Sequence, residues 1–446
     1  MHVSVPRFKL SVATLAVTAV LAAACTGPGA TGSPGATTPG VTGSPVGTTP
    51  GVTTSPGETL LGGSVSIIAS WTGSEEESFR AMIQPWVDRT GVQVDYVGTR
   101  EMQDQLTAAI QAGGTGLPDL AGIPGPGLAA DWYEAGALKP LDFLDLEAYR
   151  GSTPPGMADL GVAEDGKLIG IFTKAAVKGL IWYNVNVHDG SEPDSWEALQ
   201  GTDPAPAGAL WCNAIESGGA SGWPGTDWIE DFVIREAGPE AYDSWVAGEL
   251  AWTSPEIRGA FERWIEVVET SAGGGAAINA TTFGEIGNGL FTDPPECKFV
   301  HQASFISDFF VDTSGASPDD FDFFVMPGGA LTGGGDMFGM FNDTPQARSL
   351  IEYLTTAEAQ TIWASRGGFI AVNTGVPTST YASDSDRKAA AALQEATAFR
   401  FDGSDLMPGE MNDAFFRAMV EVTANPGNLD AILQNLDDVQ AQAYGD

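Results

Sequence analysis

The run from Ser64 to Tyr96 constrains the fold more than any other part of the chain. Ser64 to Ser70 reads SVSIIAS, an apolar run of the length of a buried strand. Ser74, with Glu77 three places on, matches a capping box and predicts a helix start. Phe79, Met82, Ile83, Trp86 and Val87 then fall at helical spacing, Pro85 is expected to kink the helix, and Gly91 ends it. Val92, Val94 and Tyr96 alternate as a second strand. Strand, helix and strand at this spacing make a βαβ unit and imply a parallel sheet. Ligands of such sheets sit beyond the carboxyl ends of the strands, near the helix N-termini. Thr72 to Glu76 is therefore a candidate binding segment. Glu75 and Glu76 would serve equally well there as complements of the helix dipole.

The same alternation continues. A second helix is expected from Glu101 to Gln111 and a short strand from Leu120 to Ile123. Lys167 to Asn184 holds two strand-like apolar runs around Lys174, and Phe321 to Met326 reads as a further strand. Later helices are expected at Ser254–Thr270, Thr344–Trp363 and Asp386–Thr397. The chain is α/β throughout, with no break that divides it into sequential domains. That pattern fits two lobes between which the chain crosses several times.

The N-terminus points to export. Arg7 and Lys9 precede an uncharged, mostly apolar run from Leu10 to Ala24, too short to span a bilayer. It ends in Leu21-Ala22-Ala23-Ala24-Cys25, which resembles a lipobox, with Ala22 where Leu is usual. Residues 1–24 are then a lipoprotein signal peptide. Cys25 becomes the lipidated mature N-terminus on the extracytoplasmic face of the bacterial cell membrane, and more than one acyl chain gives stable anchoring. An ordinary signal peptide with a chance cysteine is the alternative. Residues 25–61 repeat Gly, Pro, Thr and Ser and have too little apolar payload to offset ordering. As a flexible coil this tether would reach roughly 30 Å.

A net charge of −38 argues against nucleic-acid partners, because no basic patch displaces counterions. Beyond Cys25 the cysteines are Cys212 and Cys297. An even remainder in an oxidising compartment suggests a disulfide; two buried thiols are the alternative. His2, His188 and His301 form no metal-spaced cluster, and neither a phosphate loop nor a G-x-S-x-G elbow is present. No catalytic residue, metal or cofactor is therefore expected. Paired carboxylates of a glycosidase stay open, since close pairs among 58 acids carry no weight.

Residues 211–231 read WCNAIESGGASGWPGTDWIED, with three indoles (Trp211, Trp223, Trp228) and the carboxylates Glu216, Asp227, Glu230 and Asp231. Flat apolar faces beside fixed acceptors suit a hydroxyl-rich ring. The same composition also describes a glycine-rich loop between core tryptophans.

The runs GSEEESFRAMIQPWVDRTGVQVDY, LPDLAGIPGPG and GKLIGIFTKAAVKGLIWYN resemble the family 1 extracellular solute-binding proteins of ABC sugar importers, whose familiar member binds maltose. WCNAIESGGASGWPGTDWIEDFVIREAGPEAYDSW, CKFVHQASF and FRFDGSDLMP are similar to the alpha-glucoside-binding branch. The resemblance covers nearly all of residues 62–446. It implies a two-lobed periplasmic-binding-protein fold of type II with three interlobe crossovers, placed near Thr173, Leu331 and Pro377. One lobe would hold residues 62–173 and 331–376, the other 174–330 and 377–446. It further implies a monomer that closes on a sugar, an alpha-glucoside or short alpha-glucan, and delivers it to ABC permease subunits without making or breaking a bond.

Carried over position by position, the ligand set is Glu75, Glu76, Arg100, Gly125, Pro126, Lys174, Glu216, Ser217, Trp223, Asp227, His301, Gln302, Ser304, Asp336, Phe369, Asp405 and Phe416. Ser304 and Phe416 stand where the maltose-binding member has larger indoles. Asp405 alternatively caps the next helix, and Lys174 alternatively serves a hinge salt bridge. Trp182, Trp211 and Trp228 are expected to pack rather than bind. The rival readings are an exported carbohydrate-active enzyme, a receptor for another sugar or polyol, and a surface adhesin.

Overall fold

The computed structural model describes residues 60–328, 330–395 and 398–445. The expected signal peptide (residues 1–24), Cys25 and nearly all of the expected tether lie outside these residues. Among the described residues no helix is long and apolar enough to cross a membrane.

Among the described residues, eleven strands run in chain order as β1 (Ser64–Ala69), β2 (Gln93–Gly98), β3 (Leu120–Ile123), β4 (Gly170–Val177), β5 (Leu180–Asn184), β6 (Trp211–Cys212), β7 (Phe299–Gln302), β8 (Phe321–Val325), β9 (Ala330–Met340), β10 (Ile370–Ala371) and β11 (Ala398–Phe401). They form two sheets. The larger follows the order β10-β4-β9-β3-β1-β2, with β11 also on β9, and the smaller the order β6-β7-β5-β8. β1 pairs in parallel with β2 and β3, as the βαβ reading requires. β9 then runs antiparallel to both β3 and β4, so the larger sheet is mixed. Each sheet is the centre of one lobe.

The connecting helix Ser74–Thr90 runs unbroken through Pro85. Its N-cap is Gly73, without a side-chain bond, so the expected Ser74–Glu77 capping box is not formed. Arg80 instead holds Glu76 at 2.7 Å, one helical turn away. The segment expected as one helix, Thr344–Trp363, is two, Pro345–Leu354 and Ala357–Ala364. Thr356 caps the second through the N–H of Ala359, and a threonine bonding in this way favours a fresh helix start over continuation.

The strand break expected at Lys174 falls elsewhere. Thr173 and Lys174 lie within β4, which stays in the larger sheet to Val177, and the chain changes sheet at Lys178-Gly179. The return crossing lies between β8 and β9. After Pro377 the chain still adds β11 to the larger sheet, through Phe401↔Gly333. Only beyond it do the helices Gly409–Ala424 and Leu429–Ala443 enter the core of the second lobe.

β5 is buried on both faces, which explains its unbroken apolar sequence. Leu180 and Trp182 join a core continuous with the larger sheet, while Ile181 and Tyr183 join the second core with Trp211, Trp228 and Trp264. A Cys212–Cys297 disulfide ties β6 to the segment entering β7, across 85 residues of sequence.

Candidate functional site

A cavity of about 150 Å3 lies between the lobes. The first lobe supplies it from the carboxyl ends of its parallel strands: Ser70, Trp71 and Glu75 after β1, Arg100 and Gln103 after β2, and Pro124 after β3. β4 adds Lys174 and Ala176, and β9 adds Gly334, Gly335 and Asp336. The second lobe contributes Ser217, Ala220, Trp223, Phe283, Phe305 and Phe416. Lys178, Asp402, Ser404 and Asp405 come from the crossing segments. Placement beyond strand carboxyl ends is what an open α/β sheet provides.

Glu75 organises one end. Its carboxylate accepts from Lys174 Nζ at 2.8 Å and from an Arg100 guanidinium nitrogen at 3.1 Å. Burial works against its ionisation, but the two cations outweigh burial and hold the carboxyl below its ordinary value. Arg100 also lies 4.7 Å from the Phe283 ring centroid, and Lys174 5.1 Å from those of Phe305 and Trp363. Beside them Asp336 accepts from Trp71 Nε1 at 3.3 Å. Burial raises its pKa, against the pull of Lys174.

Lys178 organises the other end. It is 7% exposed and donates to Asp227 Oδ1 at 2.7 Å and to Asp402 Oδ2. Burial alone would lower its pKa, yet Asp227 and Asp402 carry it well above the usual value. Asp402 caps the short helix Gly403–Leu406 through the N–H of Asp405 and accepts from Ser404 Oγ at 2.8 Å. Asp227 is pushed up to about 7 by burial, with Asp402 adding to it. Oxygens of Asp227, Glu230 and Asp402 lie within 4.8 Å of one another, a spacing open to a cation. Lys178 already supplies positive charge to Asp227 and Asp402. Glu230 accepts the N–H groups of Gly403 and Ser404 at 2.8 and 3.1 Å.

Trp223 brings the aromatic wall. Its ring is 5.1 Å from Phe283 and 5.9 Å from Phe305, and Lys178 Nζ is 5.6 Å from its centroid. Gly222 before it has φ 117°, and a β-carbon there would stand 2.2 Å from Phe416 O. Only glycine permits this entry into the helix Trp223–Phe232.

Of the residues expected from sequence, Glu75, Arg100, Lys174, Ser217, Trp223, Asp336, Asp405 and Phe416 meet around this cavity. The others lie outside its lining. Glu76 is turned to Arg80. Gly125 packs on the Asp405 backbone, and Pro126 opens the helix Pro126–Glu134. Glu216 accepts from its own loop, at Gly218 N. Asp227 is 1% exposed behind Lys178. His301 is a core residue, stacked 4.1 Å from Trp228 with Nε2 2.5 Å from Asp231; burial lowers its pKa. Gln302 accepts the N–H of Ala303, and Ser304 exchanges hydrogen bonds with Val177 where the chain leaves β4. Phe369 stacks behind Trp363 at 4.9 Å. Trp182, Trp211 and Trp228 are buried packing residues.

Sequence reasoning missed Trp71, Lys178, Phe283, Phe305 and Asp402. Lys178 carried a signal: a lysine in the apolar run Ala175 to Tyr183 demands a buried acid. Asp402, not Asp405, is the capping residue of the DGSD turn, which leaves the Asp405 side chain to the cavity.

Residues 72–361 match the model of the bacterial extracellular solute-binding proteins. The chain is 34% identical over 374 residues to the osmoprotective compounds-binding protein GgtB of Synechocystis sp., covering 80% of this chain and 88% of that one. It is 34% identical over 407 residues to the alpha-glucosides-binding periplasmic protein AglE of Rhizobium meliloti, covering 83% and 86%. The fold is shared with the bacterial solute receptor AcbH, which shows a preference for β-D-galactopyranose: TM-score 0.73 at 18% identity, over 86% of this chain and 99% of that one. Two sheet-centred lobes, a cavity between them and this extent of similarity lead to one conclusion: the chain belongs to the bacterial extracellular solute-binding protein family.

Proposed function

We propose that the protein is the substrate receptor of an ABC-type carbohydrate importer, tethered outside the membrane through Cys25, and that it captures a small alpha-glucoside between its lobes. The carrying observation is the cavity itself. The aromatic rings of Trp71, Trp223, Phe283, Phe305 and Phe416 share the cavity with Glu75, Arg100, Lys174, Lys178 and Asp402, whose charges are paired with one another. Rings offer faces to sugar C–H groups, and internally balanced charges suit a neutral, hydroxyl-bearing ligand. A cavity of about 150 Å3 has room for about one six-membered ring, so a glucosyl unit with a short appendage fits it better than a longer glucan. AglE and GgtB, named for binding alpha-glucosides and osmoprotective compounds, support this class of ligand.

The working cycle is lobe closure about the crossing segments at Lys178-Gly179, between β8 and β9, and after β11. Closure joins groups from both lobes: Gln103 Nε2 donates to Asp413 at 2.9 Å, and Gly219 N donates to Glu101 at 3.0 Å. The closed receptor presents its ligand to a membrane permease, and a separate ATPase supplies the energy. The receptor itself makes no bond.

The test is a thermal-shift screen of maltose, trehalose, sucrose and methyl alpha-glucoside, with chromatography of the incubated sugar. A ligand of the folded form at 100 times its Kd adds about 2.7 kcal/mol of stability. A raised melting temperature with the sugar recovered intact is expected. No shift with any glucoside, or steady appearance of hydrolysis products, would sink the proposal.

A further inference from the structure

Several hydrogen-bond donors around the cavity already face protein acceptors. Lys174 and Arg100 both donate to Glu75, and Trp71 Nε1 donates to Asp336. Lys178 donates to Asp227 and Asp402, Ser404 Oγ to Asp402, and Gln103 Nε2 to Asp413. A sugar carries hydroxyls, which donate or accept, and ring and glycosidic oxygens, which only accept. Unused N–H groups of Arg100 and Lys174 can meet such oxygens at one end of the cavity, whereas at the other end the Lys178 ammonium is given to two carboxylates.

Asp405 stands apart from this network. Its N–H is taken by Asp402 Oδ1, but among the described residues its carboxyl oxygens have no side-chain partner. The groups that act on it are Asp402 at the cap of its own helix, Lys178 from the β4–β5 crossing, Asp227 from the helix Trp223–Phe232 and Asp336 from β9. Glu230 lies one turn beyond Asp227 and accepts from Gly403. From the first lobe the backbone of Gly125 packs on the Asp405 backbone, and Gly334 of β9 lies near its carboxyl, where a β-carbon would stand 4.0 Å from Oδ2. The single cation in this set, Lys178, is bonded to two other carboxylates. An ionised Asp405 would be a further anion among anions, with no cation of its own.

We propose that Asp405 is a specificity-determining donor at the Lys178 end of the cavity: a neutral carboxylic acid whose O–H is given to a ligand oxygen that can only accept, such as a ring or glycosidic oxygen. The proposal rests on reading the cavity as the sugar site. Burial, followed by the nearby Asp402, raises the Asp405 pKa well above the carboxylate range, in agreement with that role. The device selects by chemistry: a sugar ether oxygen is welcomed, whereas a ligand with an ammonium group would need the ionised form.

Two arms test it. The first needs no ligand. An acid whose pKa is raised on folding binds more protons folded than unfolded, so its contribution to stability is lost as pH rises. The melting-temperature advantage of Asp405→Asn over the wild type should therefore grow between about pH 5 and about pH 9. A difference independent of pH, or a growing disadvantage, overturns the proposal. The second arm uses maltose and titration calorimetry. Asp405→Ala should lose about tenfold in affinity, the worth of one buried hydrogen bond, and Asp405→Asn, which keeps a donor in place, should recover most of it. Wild-type affinity should fall as pH rises, while that of Asp405→Asn stays level. If Asp405→Asn is as weak as Asp405→Ala, or if glucosamine binds the wild type more tightly than maltose does, an ionised acceptor is at work and the donor role is wrong. If maltose does not bind the wild type at all, the glucoside reading falls, and the first arm still decides the state of Asp405.

Discussion

Replacing Lys178 with methionine should be the most damaging single change at the crossing segments. Methionine keeps the apolar stem and removes the ammonium. The side chains of Lys178, Asp227 and Asp402 are 9%, 2% and 1% exposed, so water cannot take over its role. Breaking a buried pair by removing one partner costs about 3–5 kcal/mol, because the remaining charge is uncompensated. The orphaned acids can escape part of that penalty by taking up protons. Each pH unit above an acid's own pKa makes that uptake dearer by about 1.4 kcal/mol. Asp402 decides the sign. Burial alone would raise its pKa, but Lys178 outweighs burial and depresses it in the wild type. A depressed carboxyl stabilises the fold above its unfolded pKa, and that contribution is lost as pH falls through the folded one. The variant lacks this contribution, so its deficit should be widest at high pH. Urea unfolding gives the loss as the shift in midpoint multiplied by the slope. We expect about 4 kcal/mol near pH 8, a clearly smaller loss near pH 5, and partial recovery at the higher pH in Lys178→Met with Asp402→Asn. A loss under about 1 kcal/mol near pH 8, or one equal at both pH values, would refute the electrostatic reasoning.

The other predictions are these. Changing Cys212 and Cys297 together to serine removes a cross-link over 85 residues and should cost about 4 kcal/mol, read as a lower melting temperature that reductant does not lower further. Glu75→Gln leaves Lys174 and Arg100 without their shared carboxylate and should weaken maltose binding about tenfold. Because those cations hold Glu75 below its ordinary pKa, the Glu75 contribution to binding should be complete at neutral pH and be lost as pH drops through that lowered value, an acid-side loss that Asp405→Asn should share with the wild type. Gly127→Val should weaken closure without unfolding the lobes, since even a β-carbon there would stand 2.1 Å from Met407 O. Small-angle scattering with maltose should then show a larger radius of gyration than in the wild type with the same sugar.

The sequence was most legible where one periodicity ruled a whole element. The βαβ unit from Ser64 to Tyr96 could be read because alternation, helical spacing and Gly91 agree. The end of β4 was less legible. Lys174 and Lys178 both interrupt an apolar run, and both are buried against acids distant in sequence, so neither marks a surface break. His301 entered the ligand set through the resemblance of CKFVHQASF to the alpha-glucoside-binding branch. Its place under Trp228 depends on the pairing of β5 with β7, which local sequence does not encode. Phe283 and Phe305 were invisible for the opposite reason. They look like ordinary core residues, and only lobe closure brings them against Arg100 and Lys174.

Whether a sugar sits between the lobes is decided by titration calorimetry of the wild type, Trp71→Ala and Trp223→Ala with the same set of alpha-glucosides. We expect one site per chain for at least one small glucoside, intact sugar afterwards, and binding about tenfold weaker, or more, in each variant. Saturation of neither the wild type nor the variants by any alpha-glucoside, or equal affinity in all three proteins, would contradict a sugar site between the lobes.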